Sequence, residues 1–585
     1  MDVLALLCGL ALFLFGMDAM GDALKKSAGA SLKTILGKMT SNPMKGFLLG
    51  LGVTAIIQSS SATTVMVVGF VNSGTMTLLQ AIGVIMGANV GTAVTSWLTA
   101  LSGIGGETAA GLEWLDILKP DSWMPILAVI GIGLILFAKR GKKKDIGHIL
   151  IGFSILMVGM SMMSDAVGGL KSNPDFQNIL TAFNNPLLGV LVGMILTAIV
   201  QSSSASIGIL QSLSATGAIT YGMAIPIVLG QNIGTCITAM LSSIGANKNG
   251  KRTAVAHLFF NVIGVVFWLS AFYIANAIFK FPFVENTIDM WGIAAVHTIF
   301  KLLAVALLFP FYRQLAKLAT LVVKSKDGEE ETTSMLDERL FETPSVAADS
   351  ATKVAYQMAE LSFDAINKAM TLFEDGYDAK IADAVRDIEG KVDTFEDSLG
   401  SYLVKLSSHD MSERDSMQIT KLLHIIGDLE RISDHAVNVV ESAEEMRDKK
   451  LTFSSEAQHE MSVLRAALRD IAELTLRGFT ENKVDTVLEV EPLEEVVDKL
   501  RDEIKANHII RLQKSECTIE HGFVLSDLLN NFERVSDHCS NIACCVFEIS
   551  KYDSLDMHKY LAKVKSGNPE FDRRFEQYSE KYSLT

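Results

Sequence analysis

Gln58-Ser59-Ser60-Ser61-Ala62 recurs as Gln201-Ser202-Ser203-Ser204-Ala205, and this pair of short polar runs decides how the first part of the chain is read. Each run interrupts an apolar stretch, residues 43–72 and 186–215. A polar break at membrane depth must line a cavity or lie buried in protein, because lipid offers no hydrogen bonds. The two stretches are copies in fixed register. Asn42-Pro43 matches Asn185-Pro186, and Thr54-Ala55-Ile56 matches Thr197-Ala198-Ile199. Gly87, Asn89, Gly91, Thr92 and Thr95 match Gly230, Asn232, Gly234, Thr235 and Thr238, every pair 143 residues apart. Gly16-Met17 and Asp22-Ala23 carry the match back to Gly159-Met160 and Asp165-Ala166. Generic apolar helices do not repeat Gln, Asn, Ser and Thr at one offset.

The surroundings fit a polytopic membrane protein. Crossing the ~30 Å hydrocarbon core takes about 20 apolar residues. Spans are expected near 3–24, 78–101, 123–139, 146–168, 221–244, 253–280 and 289–312. Asp2 stands where a cleavable leader carries positive charge, so residues 3–24 read as the first span. Loops rich in Lys and Arg stay inside. Lys25, Lys26, Lys33 and Lys38, the run Lys139-Arg140-Gly141-Lys142-Lys143-Lys144, and Lys248, Lys251 and Arg252 mark inner loops. The acidic loop 102–122, with Glu107, Glu113, Asp116 and Asp121, fits the outside. Three crossings and one re-entrant hairpin separate the copies, and an odd number turns the second copy over. The expected fold is all-α: two inverted repeats, 1–145 and 146–315, the second with one extra span. The N-terminus would lie outside and everything after residue 313 inside.

The interruptions suit a small anion and a small hard cation. A broken helix frees N–H groups at one half and carbonyls at the other. The N–H groups and the positive dipole end attract phosphate or carboxylate. Carbonyls, hydroxyls and the Gln amide oxygen suit sodium, since hard cations prefer oxygen. The second repeated element, Gly-x-Asn-x-Gly-Thr-x-x-Thr, is read in two ways. Its glycines allow close helix packing, or they loosen the helix into a ligand-facing segment, which the repeated Asn and Thr favour. Asp18 sits late in the first span but is Ser161 in the second copy, and Asp22 and Asp165, which do correspond, fall near span ends, where solvation is cheap. His257, Asn261, His297 and Lys301 lie inside spans, where an ionisable residue is a functional candidate by default.

The doubled Gln-Ser-Ser-Ser, with Gly-Ala-Asn-Val-Gly-Thr at 87–92 and Gly-Gln-Asn-Ile-Gly-Thr at 230–235, closely resembles the type II sodium–phosphate cotransporter family over residues 1–315. The resemblance implies sodium-coupled symport of inorganic phosphate by alternating access in the lipid bilayer. It puts substrate and sodium contacts on Gln58, Ser59, Ser60, Ser61, Asn89, Thr92, Gln201, Ser202, Ser203, Ser204, Asn232 and Thr235. The matched positions Thr63 and Thr238 join them as candidates. Ala62-Thr63-Thr64 against Ala205-Ser206-Ile207 implies that the tips bind different things. Export, another small oxyanion, or a membrane-anchored sensor stay open as alternatives.

From about residue 326 the chain becomes charged, and most of the net charge of −15 lies there. That balance excludes a general nucleic-acid binder. After a linker (316–345, with Glu329-Glu330-Glu331), helices are expected near 346–374, 379–408, 412–446, 455–480, 485–514 and 519–551, then a charged tail, 552–585. Glu430-Arg431-Ile432-Ser433-Asp434-His435 returns 103 residues on as Glu533-Arg534-Val535-Ser536-Asp537-His538. Two three-helix bundles are the simple architecture. Glu389 and Asp393, Glu430 and Asp434, Glu494 and Asp498, and Glu533 and Asp537 are spaced i, i+4 on one helix face. Like charges there repel, so such pairs call for Arg partners or a cation. The pattern resembles the PhoU family of phosphate-signalling regulators over 346–551. That implies divalent or iron cations on these eight residues, regulation of transport, and a bacterial inner membrane. A homo-oligomer is left open. Six scattered cysteines form no CxxC pattern. No Walker A loop, Gly-x-Ser-x-Gly elbow or HExxH is present, so no enzyme is expected.

Overall fold

The computed structural model describes residues 3–37, 42–103, 120–138, 142–168, 183–324, 336–374, 376–551 and 569–584. Lys38, Glu107, Glu113, Asp116, Lys139–Gly141 and the acidic run 329–331 lie outside them. The chain divides into two compact units, Met1–Val346 and Ala347–Thr585. Every regular element among the described residues is a helix, and one isolated antiparallel bridge joins Thr220 and Thr287.

Among the described residues of the first unit, six helices are long and apolar enough to cross a membrane: Val3–Ser27, Leu78–Gly103, Lys142–Gly168, Tyr221–Ser242, Lys248–Phe279 and Met290–Val322. The seventh expected span, 123–139, is the 18-residue helix Pro120–Phe137, whose apolar part is shorter. Each interrupted stretch forms a helical hairpin. The first is Pro43–Ile57 followed by Ser60–Asn72, and the second is Pro186–Val200 followed by Ser203–Ser214. The sequence register carries into backbone detail. Asn42 and Asn185 both cap the first helix, accepting from Met44 N and Leu187 N, with proline in the first turn. That placement uses a residue with no N–H where none is needed. Gln58 and Gln201 both end it in the left-handed region, at φ 61° and 56°. Ser59 and Ser202 both cap the next helix.

The repeated glycines pack helix on helix. A Cβ on Gly87 would meet the Phe47 carbonyl at 1.9 Å, and one on Gly230 would meet the Val190 carbonyl at 2.0 Å. Facing them, Gly50 lies against Val84 and Gly193 against Ile227. Contact this close is what small residues give in membranes. The expected unwound segment is instead a one-residue break: Thr92 and Thr235 join two helices each while keeping right-handed backbone angles. Helices Val3–Gly37 and Lys142–Gly168 pack antiparallel and reciprocally, Gly9 against Gly159 and Gly16 against Gly152.

The second unit contains Pro344–Thr371 (from residue 347), Ala379–Ser407, Glu413–Asp448, Ser455–Glu481, Val490–Gln513 and Ile519–Lys551, close to the expected boundaries. Their buried faces are Leu, Ile, Val and Ala rows at helical spacing. The stretch expected as a charged tail ends in a helix, Pro569–Lys581. Tyr578 Oη donates to Glu489 Oε2 at 2.9 Å, and Tyr582 and Lys581 both reach Asp470, which docks that helix on the bundle. All six cysteines are free thiols.

Candidate functional site

Each hairpin tip is built the same way. The first helix stops at its glutamine, and the serine that follows caps the second helix. Ser59 Oγ accepts from Ala62 N at 3.1 Å, and Ser202 Oγ accepts from Ala205 N at 3.2 Å. The first N–H groups of a helix have no partner within it. Those of Ser60, Ser61, Ser203 and Ser204 therefore stand at the tips, where both dipoles are positive. The ends of Pro43–Ile57 and Pro186–Val200 bring carbonyls to the same place.

The two tips meet. Ser61 Oγ lies 3.5 Å from the Gln201 carbonyl. Together they line one cavity of about 360 Å³, within the ~300–1,000 Å³ of small-ligand sites. Its wall holds Gln58, Ser59, Ser60, Ser61, Gln201, Ser202, Ser203, Ser204 and Thr238. The tips differ in detail. The Gln58 amide is buried and accepts from Thr95 Oγ1 at 2.9 Å, whereas Gln201 is exposed. Thr54 Oγ1 donates to Thr63 Oγ1 at 3.0 Å, but the matching Thr197 and Ser206 hydroxyls are buried without a hydrogen bond.

The remaining candidates lie behind this wall. Thr63, Asn89, Thr92, Asn232 and Thr235 are buried and absent from the cavity lining. Asn89 belongs to a second polar cluster. Its amide donates to Asn261 Oδ1 at 3.1 Å, and Asn261 donates in turn to the His257 carbonyl. Lys301 Nζ, 1% exposed, donates to the Asn89 carbonyl at 2.7 Å, and His297 Nδ1 lies 3.2 Å from Ser96 Oγ. The four intramembrane polar residues of the last two spans thus belong to the region around the Asn89 break.

Sequence reasoning passed over several wall residues. Asp18, Asp22 and Lys25 line the cavity, with Lys25 Nζ 3.1 Å from Asp22 Oδ1. Their spacing on one helix face was the available signal. Glu342 also lines it, from a segment read as linker.

In the second unit the acidic pairs form two groups. Glu389 faces Asp393 and, on the neighbouring helix, Asp434; burial first and then those carboxylates push its carboxyl up. Burial, then Asp434, does the same to Glu430, which also faces Glu396. In the other half, burial and the charges of Glu533 and Asp537 raise Asp498 against the opposing pull of Arg501. Arg501 pairs directly with Glu533 and lies 3.6 Å from Asp498. Glu494 groups with Glu491 and Glu495, their ligand atoms within 4.8 Å of one another. Arg501 occupies the position that Glu396 holds in the first half. Each group has its own arginines: Arg431 lies 3.4 Å from Glu430 and 3.5 Å from Asp434, while Arg501 pairs with Glu533 and Arg534 lies 3.5 Å from Asp537. Among the described residues, the acidic side chains whose ligand atoms converge closely enough for one cation are Glu491, Glu494 and Glu495.

Comparison with known proteins agrees with this division. The Na+/Pi-cotransporter family pattern matches residues 12–165 and 169–292, and the PhoU domain pattern matches 355–443 and 464–546. YjbB of Escherichia coli, a protein proposed to export inorganic phosphate, is 24% identical over 571 residues, covering 94% of this chain and 98% of its own. The uncharacterized protein YqeW of Bacillus subtilis is 35% identical over 256 residues, 43% of this chain and 77% of its own. The rat sodium-dependent phosphate transport protein 2A is 24% identical over 377 residues, 44% of this chain and 59% of its own. No solved structure matches. With the doubled hairpins in its first unit and the paired acidic helices in its second, the chain belongs to the Na+/Pi-cotransporter family and carries a PhoU domain.

Proposed function

We propose that this protein is a secondary transporter that moves inorganic phosphate together with sodium by alternating access. The observation that carries this reading is that both duplicated tips line one cavity. Phosphate is held by the N–H groups and hydroxyls at Ser60, Ser61, Ser203 and Ser204. Sodium is held by carbonyl, amide and hydroxyl oxygens of Gln58, Gln201 and Thr238, with the carboxylates of Asp18 and Asp22 adding negative charge. The cation compensates the anion, which gives a physical reason for coupling. Asn89, Thr92, Thr95, Asn232 and Thr235 support the tips from behind.

The inverted repeats are 1–145 and 146–315, and two features support the inversion. Matched helices pack antiparallel through reciprocal glycines, and broken helices meeting between repeats mark transporter sites. Charge at the first turns of two spans, Lys142–Lys144 and Lys248 with Lys251, supports an inside location for both ends. The PhoU domain, 346–551, then lies in the cytoplasm of a bacterium and regulates transport, reading a divalent or iron cation at Glu389, Asp393, Glu430 and Asp434.

Export is the second reading, favoured because YjbB matches across both units. Radiolabelled phosphate flux in proteoliposomes tests both. Uptake driven by a sodium gradient and not by a potassium gradient supports symport. Efflux from preloaded vesicles without sodium-driven uptake supports export. No flux in either direction from folded protein overturns phosphate transport.

A further inference from the structure

The stretch between the last span and the PhoU domain includes a folded element of the transport unit. Residues 338–342 form a 3-10 turn capped by Asp337. Asp337 is 4% exposed and accepts from Asn72 Nδ2 at 2.7 Å, at the end of the first hairpin. Leu340 is fully buried and packs on Gly69, where a Cβ would come within 3.1 Å of Leu340 Cδ2. Thr343 Oγ1 lies 3.2 Å from Met66 Sδ. The segment thus runs along the second helix of the first hairpin.

Arg339 ties it to the other repeat. Its guanidinium donates to the carbonyls of Ser242, the last residue of helix Cys236–Ser242, and of Ile244 just beyond it, while Asp337 holds it at 2.9 Å. A cation on the free carbonyls of a helix end is favoured by the dipole. Three residues on from Arg339, Glu342 lines the cavity. The corresponding face of the other hairpin is covered differently. Gln211 Nε2 donates to the Met290 carbonyl at 3.1 Å, so the start of a membrane span sits there. Only the 337–343 cover continues into the helix that enters the second unit, Pro344–Thr371.

We propose that residues 337–343 are a strap that gates the cavity. Seated, it pins the first hairpin to helix Cys236–Ser242 and holds Glu342 at the cavity wall, which opposes both hairpin movement and entry of an anion. The PhoU domain controls flux by unseating it. The hairpin movement and the anion rest on the function proposed above; the restriction of access does not.

The test uses the full chain in proteoliposomes, with two readouts. The first is alkylation of Ser61→Cys by a small charged maleimide, read at that residue by mass spectrometry, in the presence and absence of Arg339→Ala and Leu340→Ala. Unseating the strap should speed labelling about tenfold, the equilibrium change for loss of roughly 1.4 kcal/mol of seating energy. The second is phosphate exchange, in which the same strap variants should raise flux several-fold, and Glu342→Gln alone should lower the KM for phosphate by removing a like charge. Should the double change impair insertion, Arg339→Gln alone gives the same comparison with smaller effects. Labelling at the wild-type rate in folded variants overturns the strap. Faster labelling with no phosphate flux in any protein, wild type included, upholds the gate and overturns phosphate as the substrate.

Discussion

The Lys301 ammonium donates 2.7 Å to the carbonyl of Asn89, two residues before Gly91 ends helix Leu78–Gly91. Among the described residues no carboxylate pairs with this lysine. Its partner is a carbonyl at a helix C-terminus, the kind of group through which broken membrane helices bind sodium. Lys301 Nζ thus fills a donor position at the break in the first repeat. In the second repeat the Asn232 carbonyl accepts from Thr235 Oγ1 at 2.6 Å instead. Lys301→Met should leave the Asn89 carbonyl without this donor and cut phosphate flux at least tenfold, a loss of roughly 1.4 kcal/mol or more. Flux in proteoliposomes at matched protein content checks it. Unchanged flux would remove Lys301 from the transport machinery.

The serines at each tip separate into two roles. Ser59 and Ser202 cap helices, so Ser59→Ala or Ser202→Ala should cost about 1 kcal/mol of stability. Ser60→Ala and Ser203→Ala change wall hydroxyls that make no capping bond, and should abolish coupled flux with little change in unfolding temperature. Thermal unfolding and flux on the same preparations distinguish the two classes.

Gly87→Ala and Gly230→Ala should each destabilise by at least 1–3 kcal/mol, because the added methyl would overlap a carbonyl of the hairpin helix. The expected sign is a large loss of monodisperse protein in detergent. Gly52→Ala, with nothing within 4 Å of the new Cβ, is the control and should behave as wild type.

The acidic groups of the second unit make its stability depend on pH. Glu389, Glu430, Asp498 and Asp537 all bind protons more readily in the fold than in the unfolded chain, chiefly through burial and then neighbouring carboxylates. A raised folded pKa means the native state holds more protons, so stability falls as pH rises upward from the ordinary carboxylate values of 3.8 to 4.5. Carboxyls held down by partners, such as Glu374 beside Arg469 and Glu444 beside Arg386, contribute with the opposite sign, so the decline is read as the difference in PhoU-domain unfolding between wild type and Glu389→Gln with Glu430→Gln, followed from pH 4.5 upward in chelator within the full chain. A divalent cation should reverse it at neutral pH, and Glu389→Gln with Glu430→Gln should remove most of the reversal. Arg501→Gln should make the second group respond to the cation as well.

Much of this was legible because the duplicated polar residues fix both register and element boundaries. Asn-Pro starts, Gln stops and Ser caps recur at one offset, and local capping chemistry needs no tertiary information. The soluble helices were legible from their apolar period. What escaped depends on placement across elements. Asp18 has no partner in the second copy and Asp22 reads as a solvated span end, and only the packing of Val3–Gly37 beside the tips makes them wall residues. Glu342 sits in a charged stretch whose seating depends on Gly69 and on two distant carbonyls. The glycine motif looked like a ligand element, but the packed backbones show that its glycines serve contact first.

Gln58 and Gln201 hold a backbone conformation that suits glycine, at a cost of roughly 1 kcal/mol each. The molecule therefore carries tension at the two points where its halves meet. At Gln58 a glycine would relax the turn but leave the buried Thr95 hydroxyl without its acceptor, so the tension there is held in place by a bond. At Gln201, which is exposed, a glycine would relax the turn at no such cost and take an amide from the cavity wall. A search for a sturdier variant would therefore be drawn to the second tip and would blunt the site there.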